Sequence, residues 1–359
     1  MKNRDIFALL ESFAPSRLAY NWDNAGLLVG NREAETERIL LTLDITPSVV
    51  DYAVAKGFDL IISHHPLIIN PLKRITNPML LKLIENKVAV FTMHTNLDII
   101  KDGVNKALAD KFGLQKREFI SCDTPVYHIA LYAPPVEAQR IADAVHAAGG
   151  GIIGNYSHCL NSYTVDGQFK PLSGSNPVLG TAGELEEVRE MKLEFFVDEP
   201  LLDRVKEAIH NSHPYETPAY SIYPLHQTSL NYGLGVIGER EEPCSLKELA
   251  LAAKECLSAP FVKLWLAGKT ADTMIRKIAV CGGSGSSLIE AVTGKADVFI
   301  SADFTYHKIL ESTIPLIDAG HYYTEFPVLE VLRNLLHSLE VETEIIDIKK
   351  GDIEKLICR

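Results

Sequence analysis

Three stretches of the chain gather side chains able to hold metal ions. Ser63-His64-His65-Pro66 sets two imidazoles in tandem, His94-Thr95-Asn96-Leu97-Asp98 joins an imidazole to a carboxylate, and His321-Tyr322-Tyr323-Thr324-Glu325 does so again. His321 and Glu325 stand four apart, the spacing at which one helical turn presents both groups on one face. Imidazole with carboxylate suits Zn, Mn, Fe or Co, and the absence of thiolate argues against a purely structural zinc. His64, His65, Asp98, His321 and Glu325, with His94 close behind, are too many for one tetrahedral ion that keeps an open position. They suit two ions about 3.5–4 Å apart with a carboxylate bridge, a centre that turns water into a nucleophile at neutral pH. Taken alone, the His64-His65 pair reads equally well as two surface or capping histidines.

The elements that would position these groups alternate between strand and helix. Apolar β-branched runs predict strands over 39–43, 58–62 and 88–93, and helical spacing predicts helices over 4–13, 47–56, 78–85 and 103–112. The segment 19–27, with Trp22-Asp23-Asn24-Ala25-Gly26-Leu27, has the composition of an ordered turn. His64-His65 and His94 begin where two of these strands stop, and ligands of layered α/β sheets gather outside strand carboxyl ends. After residue 230 the alternation resumes: helix 246–256, strands 261–266, 278–280 and 298–300, a helix carrying His307, strand 315–318, helix 328–339 and a last strand 341–346 before a charged tail. Between strand and helix, Cys281-Gly282-Gly283-Ser284-Gly285-Ser286-Ser287 offers backbone amides to an anion. A plain strand-to-helix turn is the favoured reading there.

The middle of the chain follows a different order. Strand 126–132, helix 137–148, strand 157–165, a loop over 167–183, strand 188–197, helix 201–211 and strand 220–223 give β-α-β-β-α-β, the order of a ferredoxin-like unit. The expected organisation is therefore 1–121 and 228–359 as two halves of one α/β domain, with 122–227 inserted as an α+β domain. Gly150-Gly151-Ile152-Ile153-Gly154 in this insert lacks the lysine and the strand-turn-helix setting of a phosphate loop, so a tight connection is expected.

Composition narrows the function. A net charge of −12 over 359 residues argues against nucleic-acid binding, whose footprint is a basic patch. The segment from Met1 to Glu11 is charged at Lys2, Arg4, Asp5 and Glu11 and lacks the apolar core of a signal peptide. No run of about 18 apolar residues suggests a membrane span, so the expected location is cytoplasmic. Six cysteines, Cys358 among them, are scattered without a C-x-x-C pair, which suggests neither a disulfide framework nor a thiolate site.

In order along the chain, Trp22-Asp23-Asn24-Ala25-Gly26-Leu27, Ser63-His64-His65-Pro66, His94-Thr95-Asn96-Leu97-Asp98, Ser301-Ala302-Asp303 with His307, and Gly320-His321-Tyr322-Tyr323-Thr324-Glu325 resemble the motifs of the GTP cyclohydrolase I type 2 homologue family, also called Nif-three-like dinuclear-metal proteins. In the insert, Ile153-Gly154-Asn155-Tyr156-Ser157, Gly174-Ser175-Asn176-Pro177 and His213-Pro214-Tyr215-Glu216 resemble the longer bacterial form with a PII-like or CutA-like middle domain, although Leu160 stands where an aromatic is expected. The resemblance implies a Nif-like metal-binding domain made of two α/β halves, and a toroidal homohexamer with its centres facing an internal cavity. It implies two divalent ions per subunit on His64, His65, Asp98, His321 and Glu325, with Glu325 as the bridge and His94 and His307 as proton-transfer candidates. Two functions follow: a metal-dependent hydrolase of a nucleotide or related small molecule, or a metal-stabilised binding or adaptor protein whose insert senses a ligand.

Overall fold

The computed structural model describes residues 1–348; the expected charged tail and Cys358 lie outside the described residues. The chain separates into two compact units, Met1–Ser121 with the chain from Gly233 onward, and Cys122–Tyr232. Both mix helices with sheets. The other five cysteines are free thiols. Among the described residues no helix is long and apolar enough to cross a membrane.

The first unit contains two sheets. One runs in the order Gly26–Val29, Ala89–Thr92, Leu60–Ser63, Arg38–Thr42, Glu342–Ile345, parallel except for the Gly26–Val29 edge. Leu60–Ser63 is buried at every position, as an unbroken apolar run in an interior parallel strand should be. Ser63 pairs with Thr92, so the strands preceding His64 and His94 end side by side. The helix between the first two parallel strands, Pro47–Lys56, starts where the Thr46 hydroxyl accepts the Val49 N–H and stops at Gly57, whose φ of 70° suits a left-handed cap. Asn77 caps Pro78–Glu85 in the same way.

The second sheet runs Lys263–Trp265, Leu316–Asp318, Val298–Ala302, Met274–Ser284, Leu234–Ser245, Gln115–Ser121, with three parallel strands between antiparallel flanks. Each half of the sequence lends a strand to the other half's sheet: Gln115–Ser121 joins the second and Glu342–Ile345 the first.

Several expectations need correction. Gln115–Ser121 and Leu234–Ser245 carry no strand signal in the sequence. The first opens with four exposed polar residues, Gln115 to Glu118, at a sheet edge, where charge discourages pairing with other chains. The second breaks register between Glu239 and Cys244, a bulge that hides its alternation. The turn expected over 19–27 runs into the edge strand Gly26–Val29. Strand Met274–Ser284 continues through Cys281-Gly282-Gly283, and only a four-residue helix, Ile289–Val292, follows, so the plain turn describes that run better than an anion cradle.

The second unit is a four-stranded antiparallel sheet in the order Asn161–Phe169, Glu186–Asp198, Pro125–Ala133, Tyr220–Thr228. Helices Ala138–Ala147 and Leu202–Ser212 supply Ile141, Val145, Val205 and Ile209 to a core shared with Ile129, Leu131, Leu193 and Phe195. The strand expected over 157–165 starts at Asn161 because His158, at φ 60°, is still turning. Gly150 to Gly154 is the tight connection expected, closed by the Ile153 and Tyr156 bridge.

Candidate metal centre

His64 and His65 follow strand Leu60–Ser63 directly, and their N–H groups donate to the carbonyls of Thr42 and Leu43, which extends the ladder past the strand end. His94 precedes the short helix Thr95–Ile99, which carries Asp98. Asn105 holds that helix end by donating to the Asp98 carbonyl while accepting the Gly282 N–H. His321 and Glu325 bound the five-residue helix His321–Glu325, entered through Gly320 at φ 84°. The i,i+4 geometry expected from their spacing is present, with Nε2 of His321 3.0 Å from Oε1 of Glu325.

These elements bring the predicted residues together. Nε2 of His64 lies 3.6 Å from Oδ1 of Asp98 and 3.7 Å from Oε1 of Glu325, and Nε2 of His65 lies 3.1 Å from Oε2 of Glu325. The His94 ring centroid is 5.4 Å from that of His64 and 5.5 Å from that of His65. His307 is not drawn in by these contacts: it is exposed on helix Tyr306–Glu311, its ring edge-on to Tyr306.

One pattern runs through all four imidazoles of the cluster. Nδ1 of His64 donates to the Met93 carbonyl at 2.8 Å, and Nδ1 of His65, His94 and His321 meet the carboxylates of Asp44, Asp23 and Asp303 at 2.7, 2.8 and 2.5 Å. An outer oxygen that takes the Nδ1 proton fixes the tautomer and leaves Nε2 as a lone pair, the arrangement typical of metal-ligating histidine. Nε2 of His64 and Oε2 of Glu325 are buried and neither makes a hydrogen bond of good geometry, a costly state for polar atoms unless something else satisfies them. Donors held about 2.1 Å from a tetrahedral ion stand roughly 3.4 Å apart, and the donor pairs here span 3.0 to 3.7 Å. His64, His65 and Glu325 alone could hold one ion. The donor set therefore fits a borderline divalent cation.

Charge in the cluster is finely balanced. Burial alone would raise the Glu325 pKa, but the His64 charge and hydrogen bonds from the imidazoles hold it well below the usual carboxylate range. Burial would lower His65, yet its bonds to Asp44 and Glu325 push it up to about 10; Glu325 and Asp303 likewise push His321 up to about 9. Asp98 is raised by burial, with the Glu325 charge adding to the rise and the imidazoles, His64 first, opposing it. Asp23, despite burial, is held very low by hydrogen bonds from His94 and Thr95.

Sequence reasoning set no aspartate against a histidine, at Asp44, Asp23 or Asp303, and saw Gly283 only as part of a strand-to-helix turn. Asp44 had a usable signal, since it follows its own strand as His64 follows another. Gly283, at φ 64°, has its N–H held by the Thr324 hydroxyl, and a Cβ there would stand 2.3 Å from Oε1 of Glu325. The position is glycine because the cluster needs that space.

Known proteins resemble this chain along nearly its whole length. The profile of the Duf34/NIF3 (NGG1p interacting factor 3) family matches residues 1–352. A protein of Halalkalibacterium halodurans named GTP cyclohydrolase 1 type 2 homolog is 36% identical over 355 residues, covering 95% of each chain. A Bacillus subtilis protein of the same name is 36% identical over 346 residues, covering 93% of this chain and 92% of its own. The crystal structure of a Bacillus cereus protein related to NIF3 superposes with a TM-score of 0.81 at 33% identity, covering 97% of both chains. The chain belongs to the Duf34/NIF3 family.

Proposed function

We propose that the chain is a dinuclear divalent-metal protein that hydrolyses a nucleotide or related small molecule. The observation that carries this reading is the set of four imidazoles whose Nδ1 atoms are all engaged outward while three Nε2 atoms crowd the buried carboxylate of Glu325. His64, His65, Asp98, His321 and Glu325 would hold the ions, Glu325 reaching both because its two oxygens face different histidines. Bound there, the ions would supply Lewis acidity and activate water. His94 is the better placed of the two proton-transfer candidates: Asp23 orients its ring, so Nε2 is left to accept a proton, whereas His307 stands on an exposed helix. The name of the relatives supports a guanine nucleotide as the first substrate to try. The same reading treats Cys122–Tyr232 as an inserted ferredoxin-like, PII/CutA-like domain and the assembly as a cytoplasmic homohexamer. Metal analysis followed by a nucleotide and phosphoester panel tests it. Glu325→Gln should remove metal and turnover together, and turnover that survives without metal would overturn the proposal.

A further inference from the structure

Two motifs of the unit Cys122–Tyr232 play no part in the metal centre, yet they converge. Asn176 of Gly174-Ser175-Asn176-Pro177 donates its N–H to Oε2 of Glu216, in His213-Pro214-Tyr215-Glu216, at 3.1 Å. Each motif is also pinned from within. Ser175 donates both its N–H and its hydroxyl to the Leu172 carbonyl. His213 donates from Nε2 to the Tyr132 carbonyl and accepts the Tyr215 N–H at Nδ1, so its ring is a neutral strut with a fixed tautomer.

Between the two motifs and the hairpin of Asn161–Phe169 with Glu186–Asp198 lies a cavity of about 310 Å³. Its walls are largely apolar, with Phe169, Val178, Leu179 and Val188 prominent. Glu190, Glu216 and Tyr215 supply polar groups, and no lysine, arginine or histidine lines the cavity to balance the two carboxylates. The Tyr215 hydroxyl is shut off from solvent, makes no hydrogen bond of good geometry, and has the Glu190 carboxylate as its neighbour. Burial, then the Glu190 charge, push its pKa up to about 12. Two carboxylates with no cation among the cavity's lining, beside a buried hydroxyl and apolar walls, are the complement of one kind of guest.

We propose that this cavity is a binding site for a small organic cation, an apolar or aromatic amine whose ammonium group rests against Glu190 and Tyr215 while its body fills the pocket. The rings of Phe169 and Tyr215 add attraction for the same charge. Size favours a compact amine over a nucleotide. The site is independent of the metal reading, because none of its residues belongs to that cluster.

Titration calorimetry of the whole protein tests this with phenethylammonium and, as its charge-reversed counterpart, phenylpropionate. The ammonium should saturate one site per chain at physiological ionic strength, and the carboxylate should give no binding heat. Glu190→Gln should weaken the ammonium about tenfold or more, Tyr215→Phe should weaken it severalfold, and Glu325→Gln should leave it unchanged. No saturable ammonium binding, equal binding of phenylpropionate, or full affinity in both cavity variants at unchanged melting temperature would overturn the proposal. Should either variant misfold, the contrast between the two probes on the unaltered protein still decides.

Discussion

Asp44, Asp23 and Asp303 touch no other member of the cluster than the imidazole each holds, yet they decide which nitrogen of that imidazole faces inward. Replacing Asp44 by Asn keeps the shape but weakens the acceptor, so metal affinity measured by chelator competition should fall about 10–100-fold with little change in fold. Protons compete for the same lone pairs. With His65 at about 10 and His321 at about 9 in the metal-free fold, both lie above the roughly 6.5 of free imidazole. Their protonation therefore stabilises the metal-free protein fully below about pH 6.5, and that contribution is lost as pH climbs through about 9 to 10. Metal uptake must expel those protons, so affinity should rise from about pH 7 to 9 with proton release visible in calorimetry; affinity flat across that window would contradict the charge balance described. That His64, His65, Asp98, His321 and Glu325 would lie together was legible in the sequence because few residue types bind metal and these stand at strand ends and one helical turn apart. Asp44 was not, because a lone aspartate after a strand is ordinary until the fold sets a histidine against it. Gly283 was hidden for another reason: its role is the space it leaves beside Glu325.

Elements whose ends carry side-chain signals were readable to the residue. Pro47–Lys56 has Thr46 before it and Gly57 after it, and Leu246–Cys256 starts with a capping box between Ser245 and Glu248. Thr46→Ala should cost about 1 kcal/mol of stability, seen as a lower melting temperature, and leave metal content unchanged. Strands that depend on distant partners were less readable. Gln115–Ser121 is polar along half its length and becomes a strand only because Leu234–Ser245, more than a hundred residues away, offers it an edge. Tyr220–Thr228 likewise extends beyond its apolar start because Pro125–Ala133 pairs with it as far as Thr228.

At the scale of the whole chain, the exchange of Gln115–Ser121 and Glu342–Ile345 between sheets ties the first unit together across the interruption by Cys122–Tyr232. Ser121 faces Leu234 across the ladder, so a short turn can replace residues 122–232. A chain closed in that way should retain its metal, as read by elemental analysis, because every group of the cluster lies in the first unit. Loss of metal on excision would mean that the first unit does not hold the site by itself. The most direct measurement is anomalous scattering from crystals of the purified protein, collected at the edge of the metal found by elemental analysis. Two peaks about 3.5–4 Å apart, one on either side of the Glu325 carboxylate and within bonding reach of His64, His65, Asp98 and His321, are the predicted result. A metal-replete protein with no peak at Glu325, or with its ions held elsewhere, would contradict it.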